Sequence, residues 1–153
     1  GGPLNITDLA LWLHIVAASA WLGGNLVQLM MPGLLASGGP PVMLAFGRAS
    51  LVLGRIFFTP AAILTLLTGI WLVIDIGYSW GATFVSIGFA AVIVISVVSM
   101  GFLVPNGRRM VSAMESGDAG GARSLASRQT ALGIVNVVVL LVTVLAMVAA
   151  WGA

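Results

Sequence analysis

The stretch ATFVSIGFAAVIVISVVSMGFLV, residues 82–104, decides the fold, because no charged side chain interrupts it. A helix needs about 20 mostly apolar residues to cross the roughly 30 Å hydrocarbon core of a bilayer. Within that core every backbone N–H and C=O must be bonded internally, which an α-helix achieves on its own. The stretch therefore predicts a membrane-spanning helix, which Pro105, Asn106 and Gly107 are expected to end.

Three further apolar runs resemble it. We place them at about residues 9–31, 44–74 and 130–151, the second being centred on residues 56–74. Over the whole chain 60% of the residues are hydrophobic and 7% are charged, whereas a soluble domain has about 25% charged residues. The sequence thus predicts an all-α fold: a single domain, residues 1–153, forming an integral membrane four-helix bundle.

Composition also excludes several kinds of function. The absence of cysteine rules out disulfides and thiol chemistry. The net charge is +2, and six arginines are too few to form the basic face of a nucleic-acid-binding protein. No cationic residue precedes the first apolar run, so we expect it to remain as a helix and not to be cleaved as a signal peptide. The partner that the composition favours is the lipid bilayer.

The arginines predict the orientation, because they are confined to two connections. The first connection holds Arg48 and Arg55, and the second holds Arg108, Arg109, Arg123 and Arg128. The positive-inside rule then places both connections in the cytoplasm and both termini outside, with residues 106–129 as a cytoplasmic loop. Four tryptophans at the predicted outer ends are typical of an aromatic belt: Trp12, Trp71, Trp80 and Trp151.

The prolines leave one boundary open. Pro32 is expected to end the first helix, and Pro60 to kink the second. Pro40 and Pro41 open either one long helix through residue 74, which would extend about 50 Å and reach into the cytoplasm, or a short interfacial helix followed by a break.

Polar side chains recur at heptad spacing in two of the runs. The first stripe consists of His14, Trp21 and Gln28, with Asn25 on the same face. The second stripe consists of Gln129, Asn136 and Thr143. Lipid offers no hydrogen bonds, so both stripes are expected to face the interior. There they serve either as hydrogen bonds between helices or as parts of a functional site.

His14, the only histidine, is the leading candidate for such a site. Three roles are open to it: a hydrogen-bonded interior residue, a metal or haem ligand, or a proton relay. If haem b is bound, the iron is either five-coordinate on His14 or also held by Met147, which lies at nearly the same depth. Arg55 either snorkels to headgroups or pairs with an anion such as a haem propionate. The candidate cofactor-binding residues are therefore His14, Met147, Trp21 and Arg55, with His14 as the candidate metal ligand.

Two segments carry a family resemblance. Residues 13–24, LHIVAASAWLGG, resemble the first helix of a bacterial superfamily of small four-helix membrane proteins, and residues 55–71, RIFFTPAAILTLLTGIW, resemble its second helix. The superfamily includes the copper-resistance protein D family, relatives of unknown function and the HemJ type of protoporphyrinogen oxidase. The resemblance implies a haem-ligating histidine at His14 and a multi-pass position in the bacterial inner membrane. The oxidase type also has a lysine in helix three, whereas this chain has none.

Three hypotheses for function follow. The first is a haem- or metal-linked redox role centred on His14. The second is a non-catalytic accessory subunit of a larger membrane complex of the respiratory or photosynthetic type, in which the small-residue faces would contact a neighbour. The third is a small-solute permease, which at this size would have to act as a dimer. A homo-oligomer is compatible with each of them.

Overall fold

The computed structural model describes residues 3–150, most of which are helical. The α-helices are α1 (Ile6–Leu35), α2 (Gly39–Leu53), α3 (Thr59–Ile76), α4 (Thr83–Val98), α5 (Val104–Glu115) and α6 (Ala119–Ala149). A 3-10 turn, Ala36–Gly38, joins α1 to α2. Segments of π-helix join α2 to α3 (Gly54–Phe58) and α4 to α5 (Ser99–Leu103). No strand occurs within residues 3–150, and the predicted all-α class is confirmed.

Three continuous helical runs of the described chain are long and apolar enough to cross a membrane: Ile6–Ile76, Thr83–Glu115 and Ala119–Ala149. The first of them reverses direction at Gly39, whose φ of 72° lies in the left-handed region that glycine tolerates. It therefore supplies two antiparallel arms, α1 and α3.

The arms α1 and α3 pack in a register that repeats every seven residues. Successive pairs along them are Thr7–Asp75, His14–Thr68 and Trp21–Ala61. The spacing is that of helices crossing at a small angle, as in left-handed coiled coils. Each step of seven residues along α1 is thus matched by a step of seven residues along α3.

A second antiparallel pair, formed by the run α4–α5 with α6, has a matching register. Its successive pairs are Gly88–Met147, Ile95–Leu140, Ser99–Asn136 and Asn106–Gln129. The last two pairs are hydrogen-bonded and lie seven residues apart on each helix.

The two hairpins share one buried layer. Trp21, Ala61, Ile95 and Leu140 form this layer, with one residue from each of α1, α3, α4 and α6. Toward the turn at Gly39, Leu29 of α1 packs over Gly133 of α6. A Cβ on residue 133 would lie 2.7 Å from Leu29 Cδ2. We call Trp21, Ala61, Ile95 and Leu140 the core layer.

Charge is divided between the two ends of the molecule. All six arginines lie toward one end, together with Glu115 and Asp118, and this end is the arginine end below. Asp8 and Asp75 lie at the opposite end, the aspartate end, where α1 begins with a capping box made by Asn5 and Asp8. Trp12, Trp71 and Trp80 are exposed toward this second end. Trp151 falls outside the described residues.

The connection predicted at residues 106–129 is largely helical, because α5 and the first turns of α6 occupy most of it. A short turn with Gly117 at a φ of 76° connects them, and Asp118 caps α6 by accepting a hydrogen bond from the Gly121 amide at 2.9 Å. Val111 and Ala122 are buried, so these helices pack and are not a solvated tether.

The prolines also act differently from the expectation, since neither Pro32 nor Pro105 ends its helix. Pro60 and Pro105 each come two residues after a π-helical segment. A proline ring clashes with the carbonyl four residues earlier in an α-helix, and a π turn displaces that carbonyl by shifting the bonds to a spacing of five. The amides of Thr59 and Val104 accordingly bond the carbonyls of Gly54 and Ser99.

The open boundary of the second run is settled in favour of one long helical run. It extends without a break from Gly39 to Ile76, so α2 continues α3 beyond the shared core. There α2 packs on α5, with Gly47 close to Val111. Arg48 binds Glu115 with its Nη2 at 2.6 Å and its Nε at 3.1 Å from Oε1. The arginine end is therefore a small helical assembly of its own.

Asn106 links α5 to α6 in this assembly, and replacing it should lower the free energy of unfolding. Its Nδ2 donates to the Leu125 carbonyl and to Gln129 Oε1, both at 2.8 Å, and the residue is buried. We expect Asn106→Leu to lower the free energy of unfolding by about 1–3 kcal/mol, because two acceptors lose their donor. Unfolding in detergent measures the change. The exposed Ser116→Ala serves as the control, and an equal effect of both variants would contradict the assignment.

Candidate functional site

His14 is held on the inner face of α1 by Thr68 of α3. Its Nδ1 lies 2.9 Å from Thr68 Oγ1, and Thr68 is buried while His14 is half-buried. The heptad register places the two residues opposite each other. The structure therefore confirms neither a metal nor a haem at His14, but it does place the imidazole between helices.

The bonding of Thr68 favours one tautomer of the ring. Thr68 Oγ1 lies 2.5 Å from the Leu64 carbonyl, the usual back-bond of a helical threonine, so its single hydrogen is directed there. Thr68 must then accept from His14, which makes Nδ1 the protonated nitrogen. Nε2 consequently carries the lone pair. A histidine that binds a metal commonly donates its other ring N–H to a fixed acceptor in this way.

Gly69 makes room for the ring. A Cβ at this position would lie 3.2 Å from His14 Cε1, which is tighter than ordinary contact. The combination of Thr68 and Gly69 therefore fixes both the hydrogen bond and the position of the imidazole. Sequence reasoning missed both residues, although Thr68 lies midway in the heptad series that joins Ala61 to Asp75.

Two of the other predicted cofactor residues lie away from His14. Trp21 belongs to the core layer, with 5% of its surface exposed. Arg55 is exposed in the π segment, 13 residues from Thr68 along the same helical run. That separation is about 20 Å, beyond what one arginine side chain could bridge to a group bound at His14. The structure thus does not bring Arg55 and His14 into one site.

Met147 lies at the expected depth but points elsewhere. The contact of Leu29 with Gly133 sets the register of α1 against α6, and this register brings residue 147 level with His14. Its methyl group, however, occupies the space over Gly88 of α4, where a Cβ would be 2.5 Å away. Met147 also packs against the buried cluster that contains Phe84 and Val85. A different rotamer would be needed to turn the thioether toward His14.

The remaining polar residues bond within their own hairpins or within their own helix. Gln28 Oε1 accepts from Ser50 Oγ of α2 at 2.9 Å, and Asn136 Nδ2 donates to Ser99 Oγ at 3.2 Å. Asn25 Nδ2 bonds the Trp21 carbonyl, and the Thr143 hydroxyl bonds the Val139 carbonyl. The stripes on α1 and α6 therefore hydrogen-bond their hairpin partners and not each other.

The donor set restricts what could bind at His14. Within residues 3–150 no three His, Asp or Glu side chains are grouped so that they could hold a metal ion. A bare transition-metal ion needs three or four protein ligands. A haem iron, already bound by four ring nitrogens, needs only one or two axial ligands from the protein. By the number of protein ligands alone, His14 could suffice for a haem iron but not for a bare transition-metal ion.

Comparison with models of known protein families, with curated proteins and with solved structures gives no match.

Proposed function

We propose that the chain is a four-helix bundle of the bacterial inner membrane that crosses the bilayer four times, with both termini outside. The separation of charge supports this orientation, because the arginines lie at one end and Asp8 and Asp75 at the other. The exposed tryptophans at the aspartate end are those of an outer interfacial belt. The helical assembly at the arginine end then projects into the cytoplasm.

Within this bundle we propose a haem-linked redox role for His14. The observation that carries the proposal is the bond from His14 Nδ1–H to Thr68, which leaves Nε2 with a lone pair inside a membrane protein. The resemblance of residues 13–24 to helices with a haem-ligating histidine points the same way. A bound haem b would supply one-electron chemistry. The protein would contribute the axial nitrogen and the fixed orientation of its ring.

Of the two candidate ligands, His14 is the residue that would hold the haem, because the Met147 side chain fills the space over Gly88. Arg55 has no part in the proposed site. Its exposed guanidinium near the arginine end suits the headgroup region instead.

Titration with haem b in detergent tests this function. We expect a Soret band to develop with the unaltered protein and to be lost with His14→Ala, since no other histidine can replace the ligand. Thr68→Val should weaken binding by roughly tenfold, because it removes the acceptor that orients the ring. Met147→Leu should leave the spectrum unchanged, because Met147 would not hold the haem.

Trp12→Ala is the matched control, because Trp12 is exposed on α1 two residues from His14. Equal haem affinity of the unaltered protein and His14→Ala would overturn the proposal. The accessory-subunit and permease hypotheses would then remain as predictions.

A further inference from the structure

An apolar groove runs between α4 and α6 on the outside of the bundle. Its walls include Ile87, Ala90 and Val94 of α4 and Val138 and Val142 of α6. The three valines are 42%, 52% and 46% exposed, so the groove is open along its length. Its volume of about 260 Å³ extends over seven residues of α4, or roughly 10 Å. The groove is therefore wide enough for a hydrocarbon chain and narrower than an α-helix, which is about 10 Å across. We call it the α4–α6 groove.

Both walls of the α4–α6 groove lead to an arginine at the arginine end. Arg128 precedes Val142 by 14 residues, two heptads, and therefore lies on the same face of α6. Arg108 follows Val94 by 14 residues. A step of seven keeps its face across the π segment between α4 and α5, because the two hydrogen-bonded pairs of this hairpin are seven residues apart on each helix.

The two arginines lie side by side across the hairpin. Asn106 is bonded to Gln129, and in the same register Arg108 is level with Ser127, one residue from Arg128. The axes of packed helices are about 8–10 Å apart, and both arginine side chains are exposed. An anion placed between α5 and α6 thus lies within reach of both guanidinium groups.

The chain does not neutralise this pair of cations. The two carboxylates at the arginine end are engaged elsewhere, since Glu115 binds Arg48 and Asp118 caps α6. Within residues 3–150 neither Arg108 nor Arg128 has an ion-pair partner. Guanidinium groups bind phosphate with paired, charge-assisted hydrogen bonds. The charge of the pair is therefore complementary to a phosphate group.

The distance from the arginines to the groove matches one lipid leaflet. Val138 and Thr143, which bound the α6 wall, lie 10 and 15 residues from Arg128, or about 15 and 22 Å. From the headgroups to the bilayer midplane is about 20 Å, so an acyl chain that starts at Arg128 ends alongside the groove. Gly101 keeps the way between them open, because nothing lies within 4 Å of a Cβ built on it.

We propose that the α4–α6 groove, with Arg108 and Arg128, binds one anionic phospholipid from the leaflet at the arginine end. The two guanidinium groups hold the phosphate, and one acyl chain lies along the groove. The inference rests on the membrane position of the bundle and not on haem, because His14 bonds α3 on the other hairpin. Haem titration and lipid binding therefore fail or succeed separately.

Native mass spectrometry of the detergent-purified protein tests the headgroup contact. We expect dioleoyl phosphatidylglycerol to bind at least roughly tenfold more tightly than dioleoyl phosphatidylcholine, whose ammonium group cancels the charge of its phosphate. The double variant Arg108→Gln/Arg128→Gln should lower the affinity for phosphatidylglycerol at least tenfold, at about fivefold for each arginine.

The matched control removes the same charge from other faces. Arg55 lies on the run that joins α2 to α3, and Arg123 precedes the buried Val137 by two heptads, so it faces away from the groove. Arg55→Gln/Arg123→Gln should therefore change the affinity for phosphatidylglycerol little.

A second pair of variants tests the acyl contact. Ala90→Phe fills the groove and should weaken binding of dioleoyl phosphatidylglycerol, whereas Ser19→Phe, on the exposed face of α1, should not. Dihexanoyl phosphatidylglycerol has chains too short to reach the groove. It should bind more weakly than the dioleoyl lipid and with the same affinity to the unaltered protein and to Ala90→Phe.

Equal affinities for the two headgroups, an equal loss in both double variants, or no effect of Ala90→Phe on the dioleoyl lipid would overturn the proposal. A dimer that forms in place of lipid binding and is broken by Ala90→Phe would also overturn it, since a second copy would then occupy the groove. If Ala90→Phe does not fold, Val138→Phe on the opposite wall takes its place with the same expectation.

Discussion

Trp21→Ala is expected to be the most destabilising single substitution in α1. Trp21 is the largest member of the core layer, in which Ala61, Ile95 and Leu140 come from α3, α4 and α6. Truncating a buried tryptophan in a water-soluble protein costs about 3–5 kcal/mol. In a bilayer the gain from leaving water is absent, and the cost is mainly lost packing contacts. We therefore expect a loss of about 3 kcal/mol, at the lower end of that range.

Reversible unfolding in mixed micelles measures this loss. Trp12→Ala provides the matched control, since Trp12 is 59% exposed on the same helix and should change the stability little. If Trp21→Ala were no more destabilising than Trp12→Ala, the two hairpins would not share this core.

Gly24→Val should separate α1 from the π segment that precedes α3. A Cβ on residue 24 would lie 2.7 Å from Phe57 Cε1 and 2.9 Å from Phe58 Cε1. The two rings pack edge to face, with centroids 5.2 Å apart, so both would have to shift to admit a valine. Overpacking of this kind costs about 1–3 kcal/mol, and the bulk of valine places the expected loss in the upper half of that range.

The adjacent glycine isolates the steric effect. Nothing lies within 4 Å of a Cβ built on Gly23, so Gly23→Val meets open space. Valine is also a better helix former than glycine. Gly23→Val should therefore be neutral or slightly stabilising in the same unfolding assay. Comparable destabilisation by both substitutions would show that helix propensity, and not contact with the phenylalanines, governs this position.

The sequence sufficed for the long apolar helices, because hydrophobic length predicts them. The apolar runs at residues 9–31 and 82–104 lie within helical runs, and the heptad stripe on α1 correctly predicted that Trp21 faces the interior. The depth of a residue along a helix can be counted from the sequence, and this count correctly placed Met147 level with His14. The direction of the Met147 side chain depends on the space over Gly88, which no count of residues reveals.

The partners of the polar residues could not be predicted for a related reason. Thr68, Ser50 and Ser99 are common residue types in membrane helices, so nothing in the sequence singles them out. The register between arms selects them, and the register is set by packing at Ala61 and Ile95. The helices at residues 106–129 were missed because proline and glycine there suggested a loop, whereas the π segment at Ser99–Leu103 accommodates Pro105 within a helix.

The protonation of one ring tests the central claim most directly. His14 is the only histidine, so a ¹⁵N spectrum of the ring-labelled protein contains the two nitrogens of a single imidazole. We predict a neutral ring with the proton on Nδ1 and a bare Nε2, and a loss of that preference in Thr68→Val. A proton on Nε2 in the unaltered protein would contradict the account, because the nitrogen proposed to bind iron would then have no lone pair to offer.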